Sequence, residues 1–534
     1  MKIKAVNFQK FKITDWQSER RCSSIGTMSK FSPRQLGEQV PDSPHAVCVH
    51  FPALADVIGY EEGEETVLSQ LKGGYPRFVL HPYIRDLADH LKTVRGLSGR
   101  HLALVPSRRS ARELSEYVLD DSGAIEEDRQ IFIYHCEANE ENRRRCREFL
   151  QHTGCSISSR LAEDRLLETG LLFERHVEEV VESRAGIVVR QEVGDLARSG
   201  RPDSVLLCNS GMNAFYSAYK AVRDYMESEE RDLWIQLGWL YLDTNRILER
   251  FGESVGKTEV FLDIHDHERV EAWLERNGQR VAGCVTEVPT NPLLGTVDLD
   301  WLRCLADRYG FILIIDPTLA SSYNVEVLPY ADVLIQSLTK YCAYEGDVIM
   351  GAAIFNTRRS LSMELLARAV GHHEPPYKRD LERLAYEIGE TPGFIRQVNR
   401  TTALVASFLE EHPGVERVFW AYSKWTRSEY EKIGRWPLCP GGVLSFLPKE
   451  SPEAFYDRCP LVKGPSFGTR FSILCPYIYL AHYDLVSSAE GRARLAEAGL
   501  NPGLMRLSVG LEDPETIIEA LRVGLEGLAE EAHP

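Results

Sequence analysis

Short apolar runs of strand length recur through the middle of the chain, and stretches with helical spacing separate them. Ser204–Cys208, Leu233–Leu237, Thr258–Leu262, Val281–Val285, Phe311–Ile315 and Asp332–Gln336 are rich in β-branched, aliphatic and aromatic residues. Between them lie segments such as Asp298 to Tyr309, whose apolar positions repeat with the period of a helix. Strand alternating with helix predicts an α/β fold with a mostly parallel central sheet and helices on both faces. In such sheets ligands sit beyond the carboxyl ends of the strands, so the residues that end each run come first as candidates.

The pattern differs on both flanks. Residues 1–45 contain Pro, Ser and Gln without periodicity and read as a loose leader. Residues 46–200 mix short apolar runs, such as Phe78-Val79-Leu80, with charged helices, and form an N-terminal extension expected to make inter-subunit contacts. Within it, Glu137 to Cys146 reads as a solvated helical face rather than an anion site. Residues 201–392 hold the alternating runs and are expected to be the large, cofactor-binding domain. From Pro392 a long helix through Phe394 to Glu411 leads to two strand-like runs, Gly441–Phe446 and Met505–Gly510, and a terminal helix from Pro514 to Glu531. Residues 393–534 therefore read as a smaller C-terminal α+β domain. No internal repeat or low-complexity tract interrupts this order.

Composition narrows the function classes. The 534 residues suffice for at least two cores, and 43% hydrophobic with 26% charged residues is ordinary for a globular protein. A net charge of −17 repels nucleic-acid backbones, so nucleic acid is not an expected partner. No run reaches the roughly 20 apolar residues of a membrane span, so no membrane partner is expected either. The 12 cysteines form no Cys-x-x-Cys pair, which argues against a zinc ribbon or a thioredoxin-type site, and no metal is expected. Met1 to Lys30 is rich in Lys and Arg and poor in acids, but it lacks the amphipathic pattern of a transit peptide and the apolar core of a secretory signal. Reduced thiols in a cytoplasm are the expectation.

Two strand ends carry groups that suit one cofactor. Phe311–Ile315 runs straight into Asp316, and Asp332–Gln336 runs into Ser337-Leu-Thr-Lys340, 24 residues beyond Asp316. That separation leaves room for one crossover and a second strand, so Asp316 and Lys340 should rise side by side from the same edge. Taken singly, they read as a helix cap and a surface lysine. Together, an acid and an amine there suit pyridoxal phosphate (PLP): the amine binds the aldehyde, and the acid keeps the pyridine nitrogen protonated. Asn209-Ser-Gly-Met212 follows another strand and opens a helix whose free N–H groups offer a phosphate seat. Ser337 and Thr339 flank Lys340 and could donate hydroxyls to the same phosphate.

Five segments occur in order: Asn209-Ser-Gly-Met212, Pro289-Thr-Asn-Pro292, Ile315-Asp-Pro-Thr-Leu-Ala320, Ser337-Leu-Thr-Lys340 and Arg506-Leu-Ser-Val-Gly-Leu-Glu-Asp513. Together they resemble the Cys/Met-metabolism PLP enzymes of fold type I, which include cystathionine γ-synthases, cystathionine γ- and β-lyases and homoserine sulfhydrylases. A closer resemblance is to the long, fungal-type cystathionine γ-synthases. It is carried by Gly73-Gly-Tyr-Pro-Arg77, Gln151-His-Thr-Gly154, Ser158-Ser-Arg160, Trp239-Leu-Tyr-Leu-Asp-Thr244, Asn324 to Asp332 and Lys463 to Thr469.

The resemblance implies the aspartate-aminotransferase-like fold and a role for each matching residue. Lys340 matches the lysine that holds PLP and then shuttles protons, and Asp316 matches the partner of the pyridine nitrogen. Gly211 and Met212 match the backbone amides on the phosphate, helped by Ser337 and Thr339. Tyr241 matches the tyrosine stacked on the ring, which assists departure of the γ-group, and Asn291 the asparagine near the 3′-oxygen. Arg506 matches the arginine that grips the substrate α-carboxylate, and Ser466 a substrate-contacting serine. Arg160 matches the arginine that reaches the phosphate of a neighbouring subunit, which implies a homodimer or homotetramer with shared sites.

The pattern also departs from the family. Ser158 stands where the family has a tyrosine, Pro317 follows Asp316, and Ala343-Tyr-Glu-Gly346 replaces the usual Gly-Gly-His-Ser stretch. The implied reaction is γ-replacement: an O-acetyl-, O-succinyl- or O-phosphohomoserine reacts with cysteine to give cystathionine. A γ-lyase, or a natural-product γ-replacement enzyme using another nucleophile, remains open beside it. A dinucleotide enzyme would need a Gly-x-Gly-x-x-Gly run after a strand, and none is seen. A degenerate, non-catalytic relative would not be expected to keep Asp316, Lys340, Tyr241 and Arg506 together.

Overall fold

The computed structural model describes residues 34–73, 79–251 and 257–526. Most of the leader, the heart of the Gly73–Arg77 motif, Phe78 and the end of the segment expected to form the terminal helix lie outside these residues.

The six apolar runs form strands, and a seventh joins them. We number these β1 (Val205–Cys208), β2 (Leu233–Leu237), β3 (Thr258–Phe261), β4 (Val281–Glu287), β5 (Ile312–Asp316), β6 (Val333–Ser337) and β7 (Gly351–Phe355). Their order across the sheet is β1-β7-β6-β5-β4-β2-β3. Neighbours from β6 to β3 run parallel, whereas β7 lies antiparallel to both β6 and β1. The sheet is thus mostly parallel, as the alternation predicts. Apolar clusters cover both of its faces. One includes Val189, Leu302 and Ile315, and the other includes Tyr219, Trp234 and Ile314. Ile314 and Ile315 go to opposite clusters because successive strand residues point to opposite faces.

The C-terminal part holds a five-stranded sheet built from β8 (Val415–Phe419), β9 (Val443–Pro448), β10 (Val462–Lys463), β11 (Ile473–Pro476) and β12 (Met505–Ser508), in the order β8-β9-β12-β11-β10. The helix Thr391–Glu411 packs on this sheet through Val398, Val405 and Leu409, three fully buried residues on one face.

The stretch before residue 200 holds more than helices. Arg100–Val105, Ala124–Asp128 and Ile131–Glu137 form a three-stranded antiparallel sheet, and the solvated charged stretch becomes the helix Glu140–Thr153 after it. In residues 34–51, Val40 is buried against Val462 and Ile473 of the small sheet, and His45 against Ser159 and Glu163. The Val47 N–H donates to the carbonyl of Gly346, in the turn after Lys340, and the Phe51 N–H donates to that of Lys463. Among the described residues no helix is long and apolar enough to cross a membrane.

Candidate active site

The carboxyl ends of five strands converge on one cavity of about 930 Å³ measured to its mouth. Gly211 and Met212 reach it from the helix after β1, and Tyr241 from the start of the helix after β2. Glu287 ends β4, Asp316 ends β5, and Ser337 and Lys340 follow from β6. The small sheet closes the other side with Ser466, Phe467, Cys475, Tyr477 and Arg506. Val47 adds an apolar wall from the N-terminal stretch.

The helix Gly211–Glu227 starts where it does because the Ser210 side chain accepts the Asn213 N–H at 3.0 Å. Gly211 and Met212 line the cavity, and their amides precede the helix's own hydrogen-bond ladder. Their close approach to the sheet depends on Gly351, where a Cβ would stand 2.4 Å from the Gly211 Cα. On the neighbouring strand the Ser337 hydroxyl is shielded from solvent and has no hydrogen-bond partner among the described residues. Open amides with an unpaired hydroxyl at a helix N-terminus fit the phosphate of PLP. Thr339 stands otherwise: its side-chain oxygen donates to the Met350 carbonyl and accepts the Met350 N–H, and it does not line the cavity.

Asp316 Oδ1 accepts the Thr318 N–H at 2.8 Å, and the Thr318 hydroxyl accepts the Ser337 N–H at 3.0 Å, which ties the ends of β5 and β6 together. Enclosure pushes the Asp316 carboxyl up to about 6, against the Thr318 hydrogen bonds that favour its charge. Lys340 is buried, and its Nζ donates to the Ser466 hydroxyl at 2.9 Å and sits 4.9 Å from the centre of the Phe467 ring. Burial, with the nearby Arg506 guanidinium, brings this amine down to about 7. An amine that loses its proton near neutrality is suited to capture an aldehyde.

Arg506, on β12, lies with its guanidinium 4.8 Å from the centre of Tyr477 and 5.1 Å from that of Phe467. It donates to the Asn291 Oδ1 at 3.3 Å and to the Pro465 carbonyl at 3.1 Å. Asn291 in turn donates to the Tyr477 hydroxyl at 2.7 Å, so the asparagine and arginine stand in one network at the cavity wall.

Arg160 stands apart from this cavity. It is 1% exposed, and its guanidinium is held by Glu178, Asp380 and the Asp347 carbonyl of its own chain. Ser158, in the place of the family's tyrosine, caps the helix that carries Arg160 by accepting the Leu161 N–H at 3.1 Å. Several features of the cavity escaped the reading of the sequence, Tyr477, Glu287 and Val47 among them. Glu287 precedes the Pro289–Pro292 segment and could have been noticed there as a strand-ending acid, whereas Val47 sits in a stretch with no local signal.

Comparison with known proteins agrees with this geometry. Residues 174–526 match the family model described as Cys/Met metabolism PLP-dependent enzyme. The L-2-amino-4-chloropent-4-enoate dechlorinase/desaturase of Streptantibioticus cattleyicolor is 38% identical over 94% of this chain and 100% of its own length. The cystathionine γ-synthase of Neurospora crassa is 26% identical over 93% of this chain and 99% of its own. A crystal structure of cystathionine γ-synthase from Xanthomonas oryzae pv. oryzae in complex with cystathionine superposes with a TM-score of 0.55 at 21% identity, covering 67% of this chain and 90% of that one. The chain belongs to the Cys/Met-metabolism PLP-dependent enzymes, of fold type I.

Proposed function

We propose that this enzyme expels a small leaving group from the γ-carbon of a short L-amino acid that bears one carboxylate. A γ-chloroalkenyl amino acid of the kind named for the Streptantibioticus relative is the first candidate. The cations that line the cavity carry the reading. Among the described residues these are Lys340, which the cofactor occupies, and Arg506. Arg506 can grip one carboxylate by its planar fork. Cysteine or cystathionine would bring a second carboxylate, and among the described residues no further cation lines the wall to receive it. The remaining surface is largely apolar, with Met212, Phe215, Leu319, Phe467 and Leu480. This suits a halide-bearing carbon chain better than a zwitterionic acceptor.

Bound PLP supplies an electron sink for negative charge that develops at the α-carbon. The chain's own residues do the rest. Arg506 and Asn291 orient the carboxylate, and the Lys340 amine, near neutrality in its proton balance, takes and returns protons. Tyr241 and Phe467 enclose the reacting carbons and exclude water. Loss of chloride with one proton balances the elimination and needs no oxidant.

Holoenzyme given L-2-amino-4-chloropent-4-enoate should release chloride and form a product lighter by the mass of HCl, with no added nucleophile. Absence of chloride release, with cystathionine formed from a homoserine ester and cysteine, would overturn this in favour of γ-replacement. That second reading is supported by the full-length similarity to the Neurospora cystathionine γ-synthase.

A further inference from the structure

The cavity holds a second carboxyl that the chemistry above does not use. Glu287 and Asp316 are register partners at the carboxyl ends of adjacent parallel strands, β4 and β5. Residues paired in this way point to the same side of a sheet, with backbones ~4.8 Å apart. Both line the cavity. Glu287 is 6% exposed, and its Oε1 accepts the backbone N–H of Tyr241 at 2.5 Å. Tyr241 is the residue that opens the helix Leu242–Arg250, so this contact sets where the tyrosine enters the cavity.

Two carboxyls enclosed side by side do not both ionise unless cations compensate them. The charged and titratable groups that line the cavity with Glu287 are Asp316 from β5, Lys340 from the turn after β6, Arg506 from β12, the Cys475 thiol from β11, and the phenols of Tyr241 and Tyr477. No ion pair joins Glu287 to Lys340 or Arg506 within 4.0 Å. Burial, with the neighbouring Asp316, opposes a charged Glu287, whereas the N–H groups of Tyr241 and Asn291 and, more weakly, the Arg506 guanidinium favour it. N–H bonds to a carboxylate recover only part of what burying one anion beside another costs. The balance lies well on the side of the neutral acid. Asp316 is the less buried of the two, with the Thr318 N–H on its Oδ1, and is the member of the pair that keeps the charge.

We propose that Glu287 is a positioning residue that works as a neutral acid: it pins the backbone of Tyr241 and, by holding the one proton of the Glu287–Asp316 pair, leaves Asp316 as the single anion for the cofactor's ring nitrogen. The active site then presents one negative charge, not two, to the pyridinium. This rests on membership of the PLP family and not on the identity of the substrate, so its test reads cofactor binding rather than turnover.

Glu287→Gln copies the protonated acid: its amide oxygen takes the Tyr241 N–H, and its NH₂ replaces the acid O–H. The cofactor is removed from wild type, Glu287→Gln and Glu287→Ala, and the dissociation constant for PLP is measured by absorbance titration from neutral to alkaline pH. Glu287→Gln should superimpose on wild type at neutral pH and part from it on the alkaline side, where only the wild-type residue can ionise. Glu287→Ala, which frees Tyr241, should bind PLP about tenfold more weakly. A tenfold loss in Glu287→Gln at neutral pH would show that the charge is needed and would overturn the proposal, as would an alkaline limb identical to that of wild type. If Glu287→Ala fails to fold, the Glu287→Gln comparison still decides.

Discussion

Lys340 Nζ donates to the Ser466 hydroxyl at 2.9 Å, across 126 residues of sequence, and so joins the turn after β6 to the loop before β11. The bond aims an amine that burial has brought close to neutrality. It also makes the lysine's direction depend on how the small sheet sits over the large one. In Ser466→Ala we expect kcat to fall about tenfold while bound PLP, read from its visible absorbance, is retained. Loss of the cofactor instead would assign Ser466 to holding it.

Ser337 and Thr339 flank the same lysine and part ways in space. The Ser337 hydroxyl waits unpaired, whereas Thr339 spends its hydroxyl on the Met350 backbone. Ser337→Ala should raise the dissociation constant for PLP about tenfold with little change in unfolding temperature. Thr339→Val should do the reverse, losing about 1–3 kcal/mol of stability through the orphaned Met350 groups. Chemical denaturation and PLP titration of both variants separate the two roles.

Arg506 lies between two aromatic rings and is anchored by Asn291 and Pro465, which orients a planar fork toward the cavity. Arg506→Lys keeps the charge and loses both the plane and the stacking. KM for the amino acid should rise about 10–100-fold with a smaller fall in kcat, measured by steady-state kinetics at saturating PLP.

The Asp316 carboxyl titrates near 6 in the folded protein, above its ordinary 3.8. A group raised in this way binds more protons folded than unfolded between those values. Its ionisation therefore destabilises the fold, a cost that is absent below 3.8 and complete above about 6. In the cofactor-free protein, Asp316→Asn should be more stable than wild type by about 1–3 kcal/mol at neutral pH and lose that advantage below pH ~4. The same variant should bind PLP poorly. Equal stability of the two proteins at neutral pH would contradict the enclosed carboxylate described here.

Arg160 offers a contrast between stability and cofactor binding. Its guanidinium neutralises Glu178 and Asp380 deep in the chain, and Asp347 lies beside them. Arg160→Ala would leave buried carboxylates uncompensated and should cost about 3–5 kcal/mol in denaturant unfolding. PLP affinity of the protein that does fold should change less than twofold. A large loss of affinity with unchanged stability would instead assign Arg160 to a neighbouring subunit's phosphate.

Much of this was legible along the chain. Apolar runs of strand length alternating with helical periods suffice to predict the layered sheet, because backbone period and burial are local properties of sequence. Asp316 and Lys340 could be placed on one edge because a polar residue straight after a buried strand has nowhere to go but the strand's end. The strand Gly351–Phe355 was missed, since Gly-Ala-Ala carries little β signal. It is small so that Ser210 and Gly211 can lie against it, which only their approach in space reveals.

What the residues settled alone is the inventory: an amine, an acid, a helix opening and an arginine, each at the end of an element. Which of these groups share a proton, a hydroxyl or a counter-ion was decided by packing. Strand register set Glu287 against Asp316. The small sheet brought Ser466 to Lys340, and the burial of Glu178 and Asp380 claimed Arg160. Hydrogen bonds and charges act over a few ångströms, so partners far apart in sequence are chosen only when the chain has folded.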